Sequence, residues 1–347
     1  MSVHSVILRS QWALGRGKVL SSIYEVPVDP SAENNAHAFA LSMIGFNKSV
    51  LEVGCASGYL TKLLVERGCD VVGMEIDPDA ADVAEKWADR VVVGDVDDED
   101  IWNYIKDESF DVVLLGDVLE HLRRPLPALR HAVRKLKPTG FVVTSMPNVA
   151  HGDVRIALMN GRFQYSEWGL LDRTHLRFFT LETIREFLSE AGLVVVDTKR
   201  VVEPLFHTEL GVTRRDISPK TLDELYTDPE IETYQFVMKS VRENGSQAVA
   251  ELATRVNELS DRVYHQRVRL ALFRKTLRDT TVLDQHIAAH QEYIKALEGH
   301  VSGLEHNIEV LTEGLVDADV RYRAAMSSRT VSGLLRRVYG KLRVKKN

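Results

Sequence analysis

Between residues 49 and 147, short, mostly apolar runs alternate with helical patterns. This alternation limits the fold more than any other feature of the chain. SVLEV (49–53), CDVVGMEI (69–76), RVVVG (90–94), FDVVLLG (110–116) and GFVVTSMP (140–147) read as strands buried on both faces. YLTKLLVERG (59–68), PDAADVAEKWA (78–88), DEDIWNYI (98–105) and PLPALRHAVRKLK (125–137) read as the intervening helices. Gly68 ends the first of these, and Pro78 sits in the first turn of the second. A helix over 181–192, capped by Thr180, and strands over 193–201 and 233–241 follow. The expected fold is α/β, with a seven-stranded, doubly wound, mostly parallel sheet.

The chain has 347 residues, more than one core of 100–200 residues usually holds. The expected division is an N-terminal extension (1–30), the α/β domain (31–243), a coiled coil (247–326) and a basic tail (329–347). After Glu243-Asn244-Gly245 the pattern changes, and Pro229 is the last proline. Apolar residues then recur at steps of four and three through Leu252, Val256, Leu259 and Val263, and again through Leu270, Phe273 and Leu277. A second run extends from Leu283 to Leu315. This is the seam of a long α-helical coiled coil that joins copies of the chain. As one helix it would reach roughly 120 Å at ~1.5 Å per residue. A folded-back helical hairpin is the competing arrangement. The steps Leu277–Thr280–Leu283 are both three, so the seam slips phase there. In the tail, Val331, Leu334, Leu335, Val338, Tyr339 and Leu342 share one helical face, with Arg336, Arg337, Lys341 and Arg343 largely elsewhere. Such a helix can lie on an anionic membrane surface or against a protein partner.

Charged residues make up 27% and apolar residues 44%, with a net charge of −6. That is ordinary for a globular domain and gives no electrostatic footprint for nucleic acid. The two cysteines, Cys55 and Cys69, form no CxxC, so neither a disulfide framework nor a structural zinc site is expected. Arg9, Arg16 and Lys18 interrupt the start of the chain, so no signal peptide is expected and the cytoplasm is the expected compartment.

The most informative chemical segment is VLEVGCASGYLTKLL. A strand ending in Glu52 turns through Gly54-Cys55-Ala56-Ser57-Gly58 into a helix. The two glycines let the backbone approach a ligand that faces the helix N-terminus. Glu75 ends the next strand, 21 residues after Gly54, where a carboxylate accepts hydrogen bonds from ribose hydroxyls. The glycine spacing is GxxxG instead of GxGxxG, and a carboxylate at Glu52 disfavours a pyrophosphate.

These residues resemble motif I of the class I methyltransferases, whose ligand, S-adenosylmethionine, carries a sulfonium and no phosphate. Asp95 in VVVGDVDD matches the acidic position facing the adenine, and FDVVLLGDVLEHL matches the fourth strand and the turn after it. The resemblance covers about residues 30–241. It implies a cofactor site made of Glu52, Gly54, Cys55, Ala56, Gly58, Tyr59, Glu75, Ile76, Asp95, Val96 and Asp117. It also implies in-line attack on the methyl group, which for a hydroxyl acceptor needs a base or a metal. His121, His151 and His175 lie near strand ends or in the stretch 148–180, which is expected to act as an acceptor-binding lid. His151 or His175 is the expected base, with His121 and Asp172 in support.

The stretch from Pro147 to Thr180 resembles a bacterial methyltransferase group associated with cell-surface glycans and natural products. That implies O-methylation of a sugar hydroxyl on a saccharide, or of a small-molecule natural product. An assembly scaffold that keeps the fold without activity is the reading from another class. Asp117-x-x-Glu120-His121 with His175 resembles the ExxEH motif and distant histidine of small-RNA 2′-O-methyltransferases. That resemblance implies a Mg²⁺ or Mn²⁺ ion on Glu120, His121 and His175, gathering a vicinal diol.

Overall fold

The computed structural model describes residues 32–243, 247–279 and 284–327. The chain divides between Glu243 and Asn244 into two compact units. The expected N-terminal extension and basic tail lie outside the described residues.

The first unit is built on a seven-stranded sheet: β1 (Ser49–Val53), β2 (Asp70–Glu75), β3 (Arg90–Val93), β4 (Phe110–Gly116), β5 (Leu136–Pro147), β6 (Leu193–Val202) and β7 (Thr233–Arg242). Their order is β3-β2-β1-β4-β5-β7-β6. The pairings from β3 to β5 are parallel, whereas β7 runs antiparallel to both neighbours. The sheet is therefore mixed, which corrects the mostly parallel expectation. The last strand returns between β5 and β6, and an apolar run does not encode strand direction.

Successive residues of each strand enter different cores. Leu51, Val53, Val113 and Leu115 join one cluster with Trp102, Leu129 and Leu188. Val50, Val71, Val112 and Leu114 join another with Leu41 and Ile44 of α1 (Ala36–Ile44) and with Leu60 and Leu64 of α2 (Tyr59–Glu66). Helices α3 (Pro78–Ala84), α4 (Pro125–Lys135), α5 (Gly152–Met159), α6 (Leu181–Glu190) and α7 (Pro219–Leu225) complete the unit. The chain runs outward from β1 through β2 and β3, then reverses to β4 and β5. The carboxyl ends of β1 and β4 thus form the switch point where open α/β sheets bind ligands.

The second unit holds α8 (Gln247–Asp279) and α9 (Asp284–Ser327). Gln266 meets His300 at 3.2 Å, Arg267 pairs with Glu305, and Val263 packs with Val301 and Leu304. With four residues joining the helices, these contacts require α9 to run back along α8. The continuous 120 Å rod does not form, and the break falls where the apolar seam slips phase. Among the described residues no helix is long and apolar enough to cross a membrane.

Candidate active site

The glycine turn is shaped by backbone conformation. Gly54 (φ +74°) and Gly58 (φ +82°) occupy the left-handed region. A Cβ on Gly54 would lie 2.6 Å from Val118 Cγ2, and one on Gly58 would lie 2.8 Å from the Cα of Ala84. The N–H groups of Gly54 and Cys55 both donate to the Met74 carbonyl, at 2.7 and 3.1 Å. Glu75 anchors the same turn: its Oε2 accepts from Ala56 N at 2.8 Å, and its Oε1 accepts from Ile76 N and Asp77 N at 2.9 Å. Three donors on four lone-pair sites leave Oε2 able to accept one more hydroxyl. Ile76 beside it is exposed, an apolar platform at the end of β2.

Glu52 is buried and accepts a 2.6 Å hydrogen bond from the Thr61 hydroxyl on α2. Burial pushes its carboxyl up to about 8, against the opposing bond from Thr61. Burial likewise raises Cys55 and Tyr59, with Glu52 and Glu75 adding to both shifts. Asp95 accepts from the Arg123 guanidinium at 2.9 Å and from Asp97 N at 2.9 Å. Asp97 in turn accepts the backbone N–H groups of Arg123 and Arg124, which ties the loop after β3 to the turn after β4. Val96 uses its carbonyl to hold the Trp102 indole at 3.0 Å. Asp117, at φ +53°, accepts from Ser145 Oγ at 2.9 Å and from the Gln235 amide.

The acceptor side centres on the 3₁₀ turn Leu119–His121 and the loop carrying His175. The Glu120 carbonyl accepts from Leu176 N and Arg177 N at 2.8 and 3.0 Å, which brings the two histidines together. Their ring centroids are 4.8 Å apart. One ligand atom from each of Glu120, His121 and His175 lies within 4.8 Å of the others. Burial raises the Glu120 carboxyl well above its ordinary value, helped by Asp117 and then Asp172. Burial lowers His175, and His121 adds to the effect.

Both imidazoles are oriented by their second nitrogen. The Thr174 hydroxyl donates to Asp172 at 2.6 Å and lies 3.1 Å from His121 Nδ1. With its proton spent on Asp172, it accepts from Nδ1–H, and the lone pair of His121 resides on Nε2. His175 bonds the Leu170 carbonyl through one nitrogen, while its buried Nδ1 has no partner. Glu120 Oε2 is buried and unpartnered as well.

His151 is not part of this cluster's chemistry. It is fully buried, its Nδ1 accepts from Asp153 N at 3.1 Å as the N-cap of α5, and its Nε2 meets the Glu203 carbonyl at 2.9 Å. Both nitrogens serve the fold, so the expectation that His151 acts as the base is corrected. Sequence reasoning passed over Thr61, Asp97, Arg123, Ser145, Thr174 and Gln235. Only the acidic run at 95–98 and Thr174 between Asp172 and His175 carried a visible signal.

The chain matches the family model for a methyltransferase domain over residues 29–198. The ubiquinone biosynthesis O-methyltransferase of Cereibacter sphaeroides (strain ATCC 17025) is 30% identical over 175 residues, 49% of this chain and 69% of that protein. The chain belongs to the class I S-adenosylmethionine-dependent methyltransferases. The protein of the same name from Actinobacillus pleuropneumoniae serotype 7 is 31% identical over 110 residues, 30% of this methyltransferase and 47% of that protein, so about half of that relative is spanned. A methyltransferase structure from Archaeoglobus fulgidus aligns with a TM-score of 0.43 at 20% identity, covering 58% of this chain and 90% of that one. S-adenosylmethionine is the cofactor of the methyltransferase.

Proposed function

We propose that this methyltransferase methylates a hydroxyl oxygen of a small-molecule acceptor that presents two adjacent oxygens to Glu120, His121 and His175. The observation carrying this reading is the convergence of three ligand atoms within 4.8 Å, with Glu120 Oε2 and His175 Nδ1 buried and unpartnered. Such atoms are costly unless a ligand completes them. One carboxylate and two imidazoles suit a divalent cation, Mn²⁺ better than Mg²⁺ because two donors are nitrogen. A bound cation would make an acceptor hydroxyl more acidic. The relatives named ubiquinone biosynthesis O-methyltransferase support oxygen as the methylated atom.

S-adenosylmethionine, held by the glycine turn with Glu52 and Glu75, would supply the methyl group and leave as S-adenosylhomocysteine, and the acceptor hydroxyl would give up its proton to solvent. Thr174 and Asp172 hold His121 in one tautomer, and the Glu120 carbonyl fixes the loop that brings His175 to it. A sugar diol is the second reading, favoured by the exposed rings of Tyr165 and Trp168 on the same stretch.

The deciding experiment measures metal content by mass spectrometry, then methyl transfer from labelled cofactor to catechol and to sugar acceptors, before and after chelation. Bound Mn²⁺, loss of transfer on chelation and its return with Mn²⁺ are expected. Metal-free protein with undiminished transfer would leave the free Nδ1 of His175 as a base and remove the cation. Transfer to neither acceptor class would sink the adjacent-oxygen reading.

A further inference from the structure

Two consecutive turns lead into His175. Asp172 N donates to the Gly169 carbonyl at 3.2 Å, and His175 N donates to the Asp172 carbonyl at 3.0 Å. The first turn contains three peptide groups. Its first carbonyl, of Gly169, takes the closing bond, and its last, of Leu171, accepts from Ser166 N at 2.9 Å. The middle carbonyl, of Leu170, is the one that meets the His175 ring.

A distant carboxylate grips this turn. Leu170 N, in the same peptide group as the Gly169 carbonyl, donates to Glu209 Oε1 at 2.6 Å. Glu209 lies 39 residues further on, between β6 and β7. Its Oε2 accepts from the Tyr234 hydroxyl of β7 at 3.1 Å. Burial raises Tyr234, and Glu209 adds to the shift, so the phenol keeps its proton and donates. Gly169 sits at φ +96°, and a Cβ there would collide with the Glu209 carboxylate. Glycine thus allows the close approach.

Apolar packing places the turn without orienting its peptide groups. Leu170 and Leu171 are buried against Leu210 and Tyr234, but such contacts have no direction. The hydrogen bond to Glu209 has one. With the first peptide held by Glu209 and the third by Ser166, the middle carbonyl could reverse only by moving Leu171 into the left-handed region. Leu171 is not there. The Leu170 carbonyl therefore keeps one direction, toward His175. A carbonyl only accepts, and His175 Nδ1 has no partner, so the bonded nitrogen is Nε2–H. In the neutral ring the lone pair then resides on Nδ1.

We propose that Glu209, braced by the Tyr234 hydroxyl, is the positioning residue that holds His175 in the tautomer with its lone pair on Nδ1. The use of that lone pair on a ligand rests on the proposed role of the histidine cluster, whereas the tautomer does not.

Two measurements test this, and the first is made on metal-free protein. Nitrogen-15 resonances of the His175 ring should show one fixed tautomer, protonated at Nε2. Glu209→Ala should move both ring nitrogens toward the averaged values of mixed tautomers. Glu209→Gln keeps an oxygen for Leu170 N and should retain the original values. Tyr234→Phe keeps the ring and drops the hydroxyl. It should move the resonances the same way by less, and it carries the test if Glu209→Ala does not fold. The second measurement is Mn²⁺ affinity by calorimetry, expected to weaken about 10-fold in Glu209→Ala and to recover in Glu209→Gln, the low end of the loss for an outer partner of a metal ligand. Affinity for S-adenosylhomocysteine should stay within about twofold, which reports a folded domain. Displaced resonances in a protein that binds no Mn²⁺ would remove the cation and leave Glu209 in its role. A tautomer protonated at Nδ1, resonances unmoved in Glu209→Ala and Tyr234→Phe, or a glutamine variant as impaired as the alanine one would overturn the assignment.

Discussion

The Thr61 hydroxyl donates to the buried Glu52 carboxyl at 2.6 Å, joining the end of β1 to the helix that follows the glycine turn. Burial holds that carboxyl up to about 8, far above an unfolded glutamate. The folded protein therefore keeps a proton that the unfolded chain releases above pH ~4.5. The stability this represents is complete below that pH and is lost as pH rises through 8. Glu52→Gln keeps an oxygen for Thr61 and removes the titration. Melting temperatures from pH 5 to 9 should fall for the natural protein and stay flatter for the variant, a difference of about 2–5 kcal/mol at the alkaline end. Parallel curves would contradict it.

Cofactor binding should show the same linkage with opposite sign. A sulfonium favours the ionised form of Glu52, so affinity for S-adenosylmethionine should rise between pH 6 and 9 as the carboxyl ionises. Glu52→Gln should abolish most of that rise. Titration calorimetry at several pH values reads it directly, and an unchanged slope in the variant would place the pH dependence elsewhere.

Thr174→Val preserves shape and deletes the hydroxyl between Asp172 and His121. Loss of the tautomer-setting partner should weaken Mn²⁺ binding about 10- to 100-fold. The dissociation constant for S-adenosylhomocysteine should not move. Equal Mn²⁺ binding by both proteins would show that His121 is oriented without Thr174.

His151→Leu removes the N-cap of α5 and leaves the Glu203 carbonyl bare. The expected cost is about 2–4 kcal/mol in denaturant unfolding. Methyl transfer per folded molecule should hold within a few-fold at a temperature where the variant is folded. A hundredfold fall in turnover by folded variant would restore His151 to the chemistry.

Much of the sheet was legible because buried parallel strands write themselves as continuous apolar runs, and β4 falls on the residues read from the sequence. The direction of β7 was not legible, since side-chain pattern is blind to chain direction. The helical seam was visible in Val263, Val301 and Leu304, but a seam records only that these residues seek an apolar partner, and here they find it in the return helix. Glu120, His121 and His175 were grouped by their resemblance to the ExxEH motif with its distant histidine, and the turn brings them together. His151 looked equivalent in sequence, since a histidine capping a helix and one facing a ligand differ only in where the second nitrogen points.

The same loop that carries His175 exposes Tyr165 at 58% and Trp168 at 57%, unusual for large rings. Phe163 packs edge-on against Tyr165 at 5.5 Å and Phe178 at 5.9 Å, and Phe178 against His175 at 6.2 Å. A line of rings thus leads from the surface to the histidine pair. If the acceptor lies along it, Tyr165→Ala with Trp168→Ala should raise the acceptor KM about tenfold, the worth of one or two ring contacts. Turnover at saturating acceptor and affinity for S-adenosylhomocysteine should stay within about twofold, since both rings are exposed at the surface. Tyr165→Phe with Trp168→Phe should recover most of the KM because it restores the faces without the polar atoms. A KM unmoved by the alanine pair would show that the acceptor reaches the histidine pair by another approach.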